Sequence, residues 1–440
     1  SSAASDVYKR QTQGYAFEPG SVGLLAVSNG RLDVLAPAAT GTGSIRIGTC
    51  AAQACQGVTR LYSEGTIAAA TNGTFDLGDQ VLYGTRNLTL AVAAVNVGTA
   101  DALALAAARG VLPAGLTLNQ AILGRLLRGD TSTGAPALEK LTLTARESMN
   151  FYGTVALDTR DPVTGKYSLA TLALGTPALY GYGAAGDEAS IRTQNLVWNG
   201  ATQAPGAVAA GGAGTGQGAL RIDAERIEFG YGQGTQPSGL DDNARLALGF
   251  AGVTLNASDR ITANHRGSLA VYASQGAYVS GSGYTYSGGN LTLNTPLVTG
   301  AAGSVNRITA GGDVRLLAAA GAQPAAVQDL GAELSLAGAS VRVDGTIVLP
   351  SGKLTLQGRD GVLLTGASQL DLSGRAIAFN DVLRYSWGGD LILESSQGGI
   401  RQDAGALIDL SAVENNAGSL RAVALAAADG QVALPVSYTH

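Results

Sequence analysis

The chain has 440 residues, 63 of them glycine, with 5% aromatic and 14% charged residues and a formal net charge of −5. Charged residues fall well under the usual share near 25% and form no basic cluster, which argues against nucleic acid or an anionic membrane as the main partner, and no apolar run of eighteen residues offers a membrane-spanning helix. So much glycine also argues against long helices, while 45% hydrophobic residues suffice for a core, a balance that fits many short strands joined by tight turns.

In chain order, residues 1–11 (SSAASDVYKRQ) and 435–440, ending VSYTH, have no strand pattern and resemble translated adapter sequence. Both are treated as foreign tails. Residues 12–100 give short apolar runs such as SIRIGTC, QVLYG and NLTLAVAAVNVG, punctuated by Gly, Pro and Asn and only loosely periodic. Residues 101–135 break the pattern. Thr117 and Gln120 have capping-box spacing, Leu118, Ile122, Leu123 and Leu126 mark one helical face, and Gly129 is placed to end the helix. A helical insertion is expected there.

Residues 136–434 return to strands, and the stretch from Leu334 to Leu372 is the most regular part of the chain. Apolar residues two apart recur as Leu334 and Leu336, Val341 and Val343, Ile347 and Leu349, Leu354 and Leu356, Val362 and Leu364, Leu370 and Leu372. Each pair shares one face of a strand, with the intervening polar residue on the other. Three such rungs return the chain to its start after about twenty residues, which is one coil of a solenoid with three parallel strands. Comparable rungs at Leu220, Leu246, Leu269, Leu291, Val314, Leu334 and Leu354 suggest stacked coils, and the later rung at Leu391 requires extra chain to be accommodated around AFNDVLRYSWGG. The expected fold is all-β, a right-handed parallel β-helix with a short helical insertion, its hand resting on the general preference for right-handed parallel connections.

Phrases such as GNLTLNTP, AGGDVRLLAAAG, SGKLTLQGRDGV, AGALIDLS and LTLTARESMNFYG resemble filamentous haemagglutinin-like exoproteins of the two-partner secretion class. The resemblance spans nearly everything between the tails. It implies a right-handed β-helical fibre, exported by an outer-membrane barrel transporter and serving in adhesion, aggregation or toxin delivery at the cell surface, with host-cell or bacterial-surface glycans or proteins as partners. The NPNL-like and NPNG-like motifs of that family's secretion domain do not occur here, so the resemblance places the chain in the shaft or a later region and carries no transporter-recognition residues.

Few constellations suggest chemistry. Cys50 and Cys55, the only cysteines, have C-x4-C spacing that suits a small structural disulfide better than a metal site, and His265 has no evident co-ligands in the sequence. Arg128, Gly129 and Asp130 spell RGD, read either as an integrin-type recognition loop or as helix termination. Gly181, Gly183 and Gly186 match GxGxxG, but the acidic pair Asp187 and Glu188 follows with no apolar helical face, against a nucleotide site. Asp371 in LDLSG and Asp409 in IDLSA occupy similar outward positions and form the best alternative, a polysaccharide-binding or polysaccharide-cleaving site, if their carboxylates converge. The Asn-x-Ser/Thr patterns at Asn72, Asn87, Asn256 and Asn290 fit turn hydrogen bonding equally well. With no strong chemical constellation, the resemblance implies a non-enzymatic structural segment of a secreted, surface-associated adhesin, expected to carry neither cofactor nor metal.

Overall fold

A computed structural model describes residues 15–17, 23–49, 57–132, 134–202, 205, 208–232, 242–319, 326–380, 382–426 and 430–434. The chain divides into two compact units, Ser1–Leu220 and Arg221–His440. Both are built of parallel strands whose neighbours come from successive turns of the chain, so the fold is an all-β parallel β-helix.

In the first unit one interior row runs through Ile67, Leu88, Leu141, Leu172 and Leu196, each the register partner of the next and all buried. Near the start of the unit the strand Leu24–Ser28 lies antiparallel on Thr66–Thr71. There Leu24, Ala26 and Leu32 pack on Val34, Ala68, Ala70 and Ala91.

The expected helical insertion is two helices separated by a strand of the sheet. Helix α1, Ala100–Ala108, is capped by the Thr99 hydroxyl, which accepts from the Ala102 N–H at 3.2 Å. Helix α2, Gln120–Leu126, is capped by Asn119, whose Oδ1 accepts from the N–H groups of Ala121 and Ile122, both at 3.0 Å. Thr117 is thus not the cap, and Leu118 does not belong to a helical face. Leu116 and Leu118 lie in the strand Leu116–Asn119 and pair with Val95 and Val97. Alternate leucines can complete a sheet interior as well as begin a helix, and here the sheet takes the backbone hydrogen bonds.

The second unit contains the most regular coils. All twelve apolar residues assigned to rungs between Leu334 and Leu372 are buried. Leu334 pairs with Leu354, Val341 with Val362 and Ile347 with Leu370, giving the three expected faces. The first two faces run into one another through a register shift at Gly338 and Ser340.

The longer spacing series mixes faces with coils. Leu269 has Ile308, not Leu291, as its partner on the following coil, whereas Leu291 pairs with Val314 on the second face. Leu246 is also out of register: it faces Ala270, and Arg245 is the residue that pairs with Leu269. Rungs on all three faces carry the same apolar-x-apolar signature, so spacing alone cannot tell the next face from the next coil. Among the described residues, two antiparallel hairpins lengthen individual coils, one formed by Ser274–Val279 and Gly283–Ser287, the other by Ala376–Phe379 and Val382–Tyr385. The second is the extra chain required before Leu391, which pairs with Leu354.

Candidate functional site

The RGD residues follow α2. Gly129 has φ +67°, and its N–H donates to the Arg125 carbonyl at 3.1 Å, closing the helix with a left-handed residue. Arg128 folds back so that Nε donates to the Gly124 carbonyl at 2.7 Å. The Asp130 N–H donates to the Tyr83 carbonyl at 2.7 Å, and its carboxylate accepts from the Ser132 N–H at 3.0 Å. The Ser132 hydroxyl and N–H hold that carboxyl below its ordinary value. All three residues are engaged in ending α2 and tying the following segment to Tyr83. Cys50 and Cys55 lie outside the described residues.

Asp371 and Asp409 do come together, as register partners on adjacent coils. Each sits in the same turn: Asp371 Oδ1 accepts from the Ser373 N–H at 3.0 Å and hydroxyl at 2.6 Å, and Asp409 Oδ1 accepts from the Ser411 N–H at 3.0 Å and hydroxyl at 2.7 Å. Arg375 adds a charged clamp, Nη2 donating to Asp371 Oδ2 at 2.7 Å. Burial raises the Asp371 carboxyl, but the hydrogen bonds from Arg375 and Ser373 outweigh it and leave the group below its ordinary value. A glycosidic general acid needs the opposite shift, so this arrangement favours a stack of matching turns over acid catalysis.

The glycines of GxGxxG precede a strand, Glu188–Arg192, and Asp187 Oδ2 accepts from the Ala184 N–H at 2.8 Å, so the loop is closed by its own carboxylate and not by a helix N-terminus. His265 sits at φ 56° with its ring edge-on to Tyr231, 5.9 Å between centroids. Among the described residues no group of three or more His, Cys, Asp or Glu side chains is placed to hold a metal, and no helix is long and apolar enough to cross a membrane. The Asn-x-Ser/Thr asparagines are used internally: Asn72 Nδ2 donates to the Ala39 and Gly41 carbonyls, Asn87 Nδ2 to the Gly65 carbonyl, and Asn256 joins Asp223 and Asn294 in a ladder across coils, while Asn290 Oδ1 accepts from the Asp313 N–H.

A surface groove has no counterpart among the sequence motifs. In the second unit, the corner where the first face turns into the second forms an open groove of 520 Å³. Its walls come from five successive coils, at Thr309 to Gly311, Ala337 to Ala339, Gln357 to Arg359, Glu394 to Ser396, and Val423 with Leu425. Small residues at the corners hollow the groove, and its charges are internally matched. Arg359 pairs with Asp360 at 2.8 Å, while Glu394 accepts from Gln357 at 2.7 Å and from Arg421 at 2.6 Å.

The hairpin Ser274–Val279 with Gly283–Ser287 leaves this same corner one coil earlier, and its root is bridged to the groove wall through Gly288 and Gly311. A side chain at Gly311 would meet the Tyr272 ring, with Cβ only 2.8 Å from Cδ1, so glycine there lets the ring lie against the wall. Tyr272 stacks on Tyr286 at 4.8 Å between centroids, and Gln275 Nε2 donates to the Tyr286 hydroxyl at 3.2 Å. Towards the tip Tyr278 meets Tyr284 edge-on at 5.1 Å. Tyr284 and Tyr286 are two apart on one strand and Tyr278 is the cross-strand partner of Tyr284, so the rings share one face of the hairpin. The result is a tyrosine strip running outward from the groove, with Tyr278 63% exposed at its end. Four of the chain's 15 tyrosines between residues 272 and 286 were the available sequence signal. No family model, curated protein or solved structure matches this chain.

Proposed function

We propose that the chain is a structural segment of an exported, surface-associated bacterial adhesive fibre, acting through surface contacts and without catalysing a reaction. The observation that carries this reading is the division of labour in the second unit. Apolar repeat positions are consumed by coil stacking, while an exposed tyrosine hairpin projects from the ladder beside an open groove. Monomeric surfaces seldom display contiguous apolar or aromatic patches without a binding role, and loops carried on a rigid scaffold are where contacts concentrate.

The test is adhesion of bacterial and epithelial cells to the immobilised chain, with residues 274–287 replaced by a two-glycine turn and circular dichroism as the fold control. Adhesion that drops about tenfold on hairpin removal is expected. No adhesion by the intact chain, or adhesion indifferent to the hairpin, overturns the proposal.

The register pairing of Asp371 with Asp409 is the observation behind one second reading, a polysaccharide-cleaving β-helix. Turnover of pectin-like or other polysaccharides abolished by Asp371→Asn or Asp409→Asn, with no cell adhesion, would establish it in place of the adhesive one.

A further inference from the structure

We infer that the corner groove and the tyrosine strip together form a binding site for an extended, uncharged glycan, which lies along the groove and stacks a sugar on the tyrosines at its root. This rests on the adhesive reading above and assigns that surface a ligand class.

Four observations select the ligand. The groove is crossed by five coils, and successive coils are spaced ~4.8 Å apart, roughly the advance of one sugar in an extended glycan. A chain of about four or five sugars would therefore meet a similar corner at each residue. The Tyr272 and Tyr286 rings, stacked and held by Gln275, supply a prepositioned aromatic surface for the apolar face of a pyranose, and their hydroxyls supply polar handles. Tyrosine loses little rotamer freedom on binding, which favours such a platform.

Charge argues against polyanions: Arg359 is paired with Asp360 and Arg421 with Glu394, so among the described residues these guanidinium groups at the groove are matched by carboxylates. Backbone bonding argues against a peptide added as a strand. At the corners the N–H of Gly311 donates to the Val271 carbonyl at 3.0 Å, that of Ala339 to Gly312 at 2.8 Å, that of Gln397 to Arg359 at 2.7 Å and that of Leu425 to Ser395 at 2.9 Å. These donors are used between coils. Between small and apolar residues the groove offers the Gln357 amide, the Thr309, Ser395 and Ser396 hydroxyls and the Glu394 carboxylate, a mixture suited to the apolar faces and hydroxyls of sugars.

The experiment is calorimetric titration of the full chain with chitohexaose and cellohexaose, alongside a heparin hexasaccharide and a proline-rich decapeptide. At least one neutral hexasaccharide should bind, with affinity changing less than about twofold between 50 and 500 mM salt because no charges are screened. Tyr286→Ala should weaken it about tenfold or more, whereas Thr285→Ala, the intervening position on the same strand, should change it little. Gln357→Ala tests the groove wall without touching the hairpin and should weaken binding about threefold to tenfold. Binding of heparin or peptide alone, or neutral-glycan binding unaffected by both Tyr286→Ala and Gln357→Ala, overturns the assignment. Hairpin-dependent cell adhesion with no neutral-glycan binding overturns this inference alone. Neutral-glycan binding without cell adhesion overturns the adhesive reading and leaves the site in place.

Discussion

Arg245 is the register partner of Leu269, so a guanidinium occupies the interior row that continues through Leu269, Ile308, Leu336, Leu356 and Leu393. Its side chain is buried over the Phe229 ring, 5.7 Å from the centroid, and Nη1 donates to the Asn243 and Ser268 carbonyls at 3.3 Å. Gly267 makes room, since a Cβ there would stand 2.8 Å from Nη1. Burial brings the guanidinium down to about 10, still charged at neutral pH. Replacing a buried charge by an apolar side chain of similar length is often neutral or stabilising by about 1–4 kcal/mol, whereas truncation leaves a cavity costing about 2–5 kcal/mol. Urea denaturation should therefore rank Arg245→Met at or above the parent chain and Arg245→Ala well below it. The reverse order would mean that the polar contacts of Arg245 outweigh its desolvation.

Leu354 and Thr355 test the in-out register directly. Leu354 is fully buried between Leu334 and Leu391, while Thr355 is partly exposed on the opposite side of the same strand. Leu354→Asp should cost several kcal/mol, on the order of the penalty for an unpaired buried carboxylate. Thr355→Asp should stay within about 1 kcal/mol. Thermal melting and limited proteolysis that treat the two alike would refute the register.

The Asp371–Arg375 clamp makes an acid-side prediction. The folded carboxyl lies below its ordinary value, so its contribution is present above the unfolded carboxyl near 3.9 and is lost as pH falls through the lower folded value. With Asp371 about a third exposed, screening keeps the effect of Asp371→Asn to about 0.5–1 kcal/mol at pH 7. Urea midpoints of the two proteins should differ at pH 7 and converge once the pH falls below the folded carboxyl's lowered value. A gap that widened in acid would contradict the clamp.

Asn96 and Asn150 carry a buried polar ladder through the first unit. Asn150 Nδ2 donates to Asn96 Oδ1 at 2.9 Å, Asn96 Nδ2 donates to the Pro113 carbonyl at 2.8 Å, and Ser148 donates to Asn150 Oδ1 at 2.9 Å. Asn150→Ala strands the Asn96 oxygen and should cost about 1–3 kcal/mol. A double-mutant cycle with Asn96→Ala should show coupling of at least about 0.5 kcal/mol. Strict additivity would show that the two amides do not depend on one another.

The sequence by itself determined the repeat unit. In-out-in apolar pairs from Leu334 to Leu372 suffice to place twelve side chains inside, because a two-residue period leaves a strand only one way to bury both members of a pair. It also located the extra chain before Leu391. Tertiary structure decided what is stacked on what. Leu246 and Arg245 are adjacent in sequence, and only the pairing of neighbouring coils shows that the arginine takes the row of Leu269. Likewise, Thr117 and Gln120 satisfy a local helix pattern, but pairing of Leu116 and Leu118 with Val95 and Val97 moves the helix start to Asn119. The groove was least legible of all. Its walls are drawn from five coils, each contributing two or three residues with no local motif, and the tyrosines beside it come together only when a hairpin folds them onto one face. Local periodicity fixes which way a side chain points, whereas a surface site depends on long-range register, which no short window of sequence contains.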